Sequence, residues 1–106
     1  MSQKNIRRTS KAEQDFAEIV NFISEKSSST ADRFMNAFEE TLDFLSNMPE
    51  AGASYHSNNP TVQGLRTWRV KGFQKYVIFY RNERNEIVIV RVLHGARDAE
   101  GIFDGS

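Results

Sequence analysis

The stretch Leu65–Asp98, LRTWRVKGFQKYVIFYRNERNEIVIVRVLHGARD, decides the architecture. Apolar and basic residues alternate through it in three runs, separated by two clusters of turn residues. Period-two alternation puts successive side chains on opposite faces of a strand. The runs predict strands over Leu65–Val70, Lys75–Arg81 and Glu86–Leu93, with turns over 71–74 and 82–85. Connections this short require antiparallel neighbours. In the last run Val88, Val90 and Val92 point one way, and Ile87, Ile89, Arg91 and Leu93 the other. Apolar residues on both faces mark a central strand.

Upstream the period becomes helical. Ile6–Thr9 reads as a short first strand. Ser10-Lys11-Ala12-Glu13 is a capping-box pattern, with hydroxyl and carboxylate each able to satisfy a free amide. Ala12, Phe16, Ile19, Val20 and Ile23 then form one stripe, with Asp15 and Glu18 on the polar side and Phe22 off the stripe. Residues 26–30, KSSST, interrupt it, and Ser29 or Thr30 is the expected N-cap of a second helix. That helix carries Ala31, Phe34, Met35, Phe38, Leu42 and Leu45, and Pro49 ends it near Asn47. Leu42, Phe44 and Leu45 make it apolar over a wide arc. A helical hairpin with this much apolar surface packs on a sheet, a partner, or both. Glu50–Gly64, rich in Gly, Asn and Ser, is a long loop of the kind that often carries function.

The expected fold is therefore α+β: an N-terminal strand, then an antiparallel helical hairpin packed on a small, mostly antiparallel sheet, in the order β-α-α-β-β-β. At 106 residues the chain is read as one domain spanning 1–106. It has no cysteine, which excludes a disulfide framework or a thiolate metal site. No apolar region follows the N-terminal charges, and no apolar run approaches the roughly 20 residues of a membrane span. These features fit a cytoplasmic protein. The net charge of zero conceals segregation: residues 1–11 carry +4, 12–50 carry −7, 51–97 carry +6 and 98–106 carry −3. Two faces of opposite charge suggest two partners, although helices favour Glu and edge strands favour Lys and Arg for structural reasons alone.

The element order resembles that of the RelE/ParE superfamily of type II toxin–antitoxin toxins. The resemblance is carried by Ala17-Glu18-Ile19-Val20-Asn21-Phe22-Ile23, the run from Leu45 to Gly52, Gly64-Leu65-Arg66, Tyr76-Val77-Ile78-Phe79-Tyr80-Arg81 and the run from Val92 to Asp98. It covers nearly the whole chain, and the last two segments resemble the ParE branch most. That branch implies a non-catalytic toxin that poisons DNA gyrase, without a cofactor and without sequence-specific nucleic-acid binding of its own. It acts in plasmid-stabilising modules. The implied partner is a ParD-like antitoxin in a hetero-oligomer such as a heterotetramer. Its C-terminal segment folds across the helical hairpin, often adding a strand to the sheet edge, which makes Phe16, Ile19, Phe22, Ile23, Phe34, Phe38, Leu42 and Phe44 the expected antitoxin-binding residues. The same apolar stripes are also the natural core of the fold. The RelE branch implies instead a ribosome-dependent mRNA endonuclease, for which Lys71, Lys75, Arg81 and Arg91 would supply cations and His94 a base. Gly95 stands where one such branch places a tyrosine after the histidine. A third reading is an inactive member that only binds its antitoxin.

For target binding the expected set is Arg69, Lys71, Lys75, Arg91, His94, Arg97, Ile102 and Phe103. His94 also has a structural reading, as an imidazole that caps the strand end on nearby backbone. His56 is read as surface, and two distant histidines without cysteine give no metal site. Alternation places Arg66 and Trp68 on one face and Arg69 opposite, with Arg66 read either as the partner of a helix carboxylate or as a contact to an anionic or protein target. Arg97 and Asp98 are adjacent opposite charges suited to a local pair. Ile102 and Phe103 either anchor the tail or engage the target.

Overall fold

The computed structural model describes residues 3–104, and the side chains of residues 96 and 97 fall outside the described set. The elements are β1 (Asn5–Arg8), α1 (Ser10–Lys26), α2 (Ser28–Asn47), β2 (Ala53–Ser54), β3 (Leu65–Val70), β4 (Phe73–Asn82), β5 (Glu86–His94) and α3 (Gly95–Ala99). A 3-10 turn over Pro60–Val62 and a π turn over Glu100–Asp104 complete the chain. The five strands form one sheet in the order β1-β5-β4-β3-β2. β2–β3, β3–β4 and β4–β5 are antiparallel, whereas β1 lies parallel to β5. The helical hairpin between β1 and β2 provides the long crossover a parallel pair requires.

Both helix starts differ from expectation. Thr9, not Ser10, caps α1: its hydroxyl accepts from the Ala12 amide and donates to the Val90 carbonyl. That second bond to β5 favours Thr9 over Ser10. Ser27, not Ser29 or Thr30, caps α2 by accepting from Thr30 N–H, and its own amide closes α1 on the Ile23 carbonyl. One residue thus ends one helix and starts the next.

The core between hairpin and sheet is aromatic. The Phe34 ring lies 5.9 Å from Phe16, 5.2 Å from Phe73 and 5.4 Å from Tyr76. Ile78, Tyr80, Ile87, Ile89 and Val92 fill the sheet side. The alternation expected along β5 fails at a bulge. Phe79 faces Arg91 while the next residue, Tyr80, faces Ile89, so Val90 has no opposite residue. One extra residue shifts the phase by one. Val92 therefore joins Ile87 and Ile89 under the helices, and Leu93 joins Val90 on the far face.

That far face has a core of its own. Val62, Leu65, Val77, Phe79 and Leu93 are covered by Tyr55 from the loop and by Ala99 and Phe103 from the C-terminal segment. The loop is held from below as well. The Tyr80 hydroxyl donates to the Pro49 carbonyl and accepts from Gly52 N–H, both at 2.9 Å. A Cβ on Gly52 would stand 2.5 Å from that hydroxyl and 2.8 Å from the Thr67 carbonyl oxygen, so only glycine fits.

Candidate functional site

The sequence assigns Asp15 to the polar side of α1, yet it is 8% exposed. It stands three residues after Ala12 and four before Ile19, within the buried stripe. Its carboxylate accepts from Arg91 Nε at 2.7 Å, from Arg91 Nη2 at 2.9 Å and from the Val92 amide at 3.0 Å. The amide lies just past the bulge. One carboxylate thus neutralises a cation and satisfies a backbone donor. The paired Asp15 raises the Arg91 pKa against the opposing effect of burial, and the charge of Glu18 adds to the rise.

This arrangement splits the five residues named for RNA cleavage, although Arg91 and His94 line one cleft. Arg91 is fixed under α1. Arg81 donates to the carbonyls of Thr61 and Gln63, clamping the 3-10 turn. Lys71 and Lys75 are exposed around the β3–β4 turn, where Lys71 stands 3.6 Å from Glu40. His94 is exposed at the end of β5, with its ring 5.4 Å from that of Tyr76 and nearly perpendicular to it. Among the described residues the imidazole makes no hydrogen bond to backbone. Among the described residues no group of three or more His, Asp or Glu could hold a metal ion.

The residues named for target binding divide in the same way. Arg69, on the face opposite Trp68, is exposed and donates to the Gln74 carbonyl at 2.6 Å. With Lys71 and Lys75 it forms a cationic corner at the β3–β4 turn. Ile102 is exposed, but Phe103 is 8% exposed and packs at 5.6 Å from Tyr55 and 5.2 Å from Phe79. Phe103 anchors the tail to the body and leaves little surface for a partner. Arg97, expected to pair with Asp98, lies outside the described side chains. Arg66 takes the Glu50 and Gly52 carbonyls rather than a helix carboxylate, because the loop after α2 brings those two carbonyls within its reach.

The tail is clamped by the loop. Asp104 accepts from the Tyr55 hydroxyl and from Ser57 Oγ, and Asn59 Nδ2 donates to the Phe103 carbonyl. Burial first, then the bond to Asp104 and the charges of Asp104 and Glu100, push the Tyr55 pKa up to about 12. His56, exposed as expected, lines a polar cleft beside this clamp.

Of the antitoxin set, Ile23, Phe34, Phe38 and Leu42 are buried. They hold hairpin to sheet and are closed to a partner in this conformation. Phe16 and Ile19 are half-buried, and the Arg8 guanidinium stands 5.9 Å from the centre of the Phe16 ring. Phe22 and Phe44 are exposed, and each lines a different cleft. Phe44 stacks on Trp68 at 5.2 Å and lines a groove of about 870 Å³ with Thr41, Arg69, Lys71 and Val77. Phe22 lines a smaller cleft, about 420 Å³, between α1, the end of β5 and the tail, with Glu18, Ile19, Tyr76, His94, Asp98 and Ile102. Sequence reasoning missed Glu18, Tyr76, Asp98 and Trp68 as cleft residues. The signal available was Phe22 itself, a large apolar residue off the buried stripe.

Among the described residues no helix is long and apolar enough to cross a membrane. A family model described as ParE toxin of type II toxin-antitoxin system, parDE, matches residues 6–99. No curated protein matches the chain. Among solved structures the chain is similar to one described as the chromosomal ParDE TA system from P. aeruginosa. The two are 21% identical with a TM-score of 0.69, over 88% of this chain and 97% of that chain. At this identity the likeness is one of fold.

Proposed function

The chain belongs to the ParE toxin family of type II toxin–antitoxin systems, and from that premise we propose a growth-inhibiting toxin that binds DNA gyrase and is neutralised by a cognate ParD-like antitoxin. The two form a hetero-oligomer such as a heterotetramer, in the cytoplasm. The toxin uses no cofactor and reads no nucleic-acid sequence by itself. It disables gyrase by docking.

The observation that carries the non-catalytic reading is the engagement of Arg81 and Arg91. Cleavage by 2′-OH attack needs cations gathered around one phosphate, with a base and an acid in reach. Here Arg81 is bonded to two turn carbonyls and Arg91 to Asp15. Both would have to leave internal partners to meet a substrate. The exposed cationic corner of Arg69, Lys71 and Lys75 suits a protein target approached through its charge.

Expression of the protein alone then arrests growth, and co-expression of the neighbouring antitoxin rescues it. Purified toxin inhibits supercoiling by gyrase and accumulates double-strand breaks. Arg69→Glu with Lys75→Glu abolishes that inhibition and leaves antitoxin binding intact. Gyrase left untouched, with mRNA cut on ribosomes and the cutting lost in His94→Ala, would overturn the proposal.

A further inference from the structure

Among the described residues four large apolar side chains stand exposed, and they fall into two pairs. Phe44 and Met48 lie at the end of α2. Phe22 and Ile102, 54% and 43% exposed, line the cleft between α1 and the tail. Ile102 is held there by its neighbours. Phe103 is buried beneath, its carbonyl is bonded to Asn59, and Asp104 is bonded to Tyr55 and Ser57. The Asp15–Arg91 pair fixes the other side, where α1 meets β5. The cleft therefore exists before any partner arrives, which lowers the ordering cost of binding.

Its charge is uneven. Asp15, Glu18 and Asp98 line it against one described cation, Arg91, and Asp15 already holds that cation bidentately. Glu18 and Asp98 make no ion pair among the described residues. Lys26 stands 5.4 Å from the centre of the Phe22 ring and bonds neither carboxylate. Two copies of this chain meeting through the cleft would place like charges together, which disfavours a symmetric self-pair. A partner with the opposite charge and an apolar residue beside it fits.

We propose that this cleft receives one anchor of the antitoxin: an apolar side chain seated between Phe22 and Ile102, beside a lysine or arginine facing Glu18 and Asp98. The inference rests on the reading that a cognate antitoxin binds this chain. The Phe44–Trp68 groove lies apart from this cleft and shares no lining residue with it.

The test measures binding of the full-length antitoxin encoded beside the toxin to the intact chain, by calorimetry at low and high salt. Glu18→Lys with Asp98→Lys weakens binding by about tenfold at low salt, and the difference closes at high salt. Phe22→Ser with Ile102→Ser weakens it by about tenfold or more, on the order expected for buried interface anchors, at both salt concentrations. All four positions are exposed, so each variant stays folded, and its melting curve checks this before binding is measured. An antitoxin that fails to bind the parent chain would overturn the antitoxin reading itself. Parent binding retained unchanged in both double variants would overturn the cleft assignment alone. Loss of gyrase inhibition with antitoxin affinity intact would also overturn it, giving the cleft to the target.

Discussion

Replacing Asp15 by asparagine keeps the shape of the side chain and removes its charge. The carboxylate accepts three hydrogen bonds, two from Arg91 and one from the Val92 amide. The asparagine side chain has one acceptor oxygen, and its NH2 must face a donor. At least one donor is left without a partner, and the Arg91 guanidinium, whose side chain is 19% exposed, loses its counter-charge. Breaking a fully buried pair from one side costs roughly 3–5 kcal/mol, and partial exposure argues for the lower end, about 3 kcal/mol. For a chain of this size that lowers the midpoint of thermal unfolding by roughly 12 °C or more. Urea denaturation gives the free energy directly, and amide exchange at Val92 reports the local opening. The double replacement Asp15→Leu with Arg91→Met removes both charges and recovers about half of the loss, since the Val92 amide still lacks its acceptor. A loss below about 1 kcal/mol in Asp15→Asn, with Val92 exchange unchanged, would refute the argument that this carboxylate holds α1 to β5.

Two other perturbations follow from the described contacts. Gly52→Ala puts a Cβ into the Tyr80 hydroxyl and the Thr67 carbonyl and should cost about 2–3 kcal/mol, measured by urea denaturation; a neutral substitution would show that the loop relaxes freely. The raised Tyr55 pKa means that the folded state favours the neutral phenol: the stabilisation is complete below pH 10 and is lost as pH rises towards 12. Stability should fall through that window, and Tyr55→Phe should reduce the slope without abolishing it, because burial also raises Tyr76 and Tyr80; an unchanged slope would argue against the clamp on Asp104.

Much of the sheet was readable because its signals are local. Alternation and turn residues placed β3 with its observed ends, and β4 and β5 to within two residues. What failed was decided across the structure. Thr9 beats Ser10 as a cap only because Val90 offers its carbonyl on another element. The bulge at Val90 leaves no mark in a run of Val and Ile, so alternation puts Leu93 on one face with Ile87 and Ile89 when the sheet divides them. Asp15 was misplaced by its chemistry, although its spacing from Ala12 and Ile19 is that of the buried face. A carboxylate at that position calls for a cation, and Arg91 is the charged residue inside the apolar last strand. The candidate site was less readable than the fold. Helical periodicity finds a stripe but does not tell whether sheet or partner covers it, so it groups Phe34, Phe38 and Leu42 with Phe22 and Phe44. The off-stripe position of Phe22 separates it from the buried set.

The parallel pairing of β1 with β5 joins Asn5 to Glu86 and Arg8 to Ile89, so β1 finds its neighbour only after the hairpin and three further strands have been made. During synthesis β1 and the helical hairpin leave the ribosome long before β5 does. Until then Asp15 has no arginine to bind, Thr9 has no Val90 carbonyl, and the tail that walls the small cleft does not exist. The small cleft therefore forms only after β5 and the tail have been made. A chain stalled before β5 would keep the helical hairpin and lack this cleft altogether, whereas the residues that line the Phe44–Trp68 groove would already have been made.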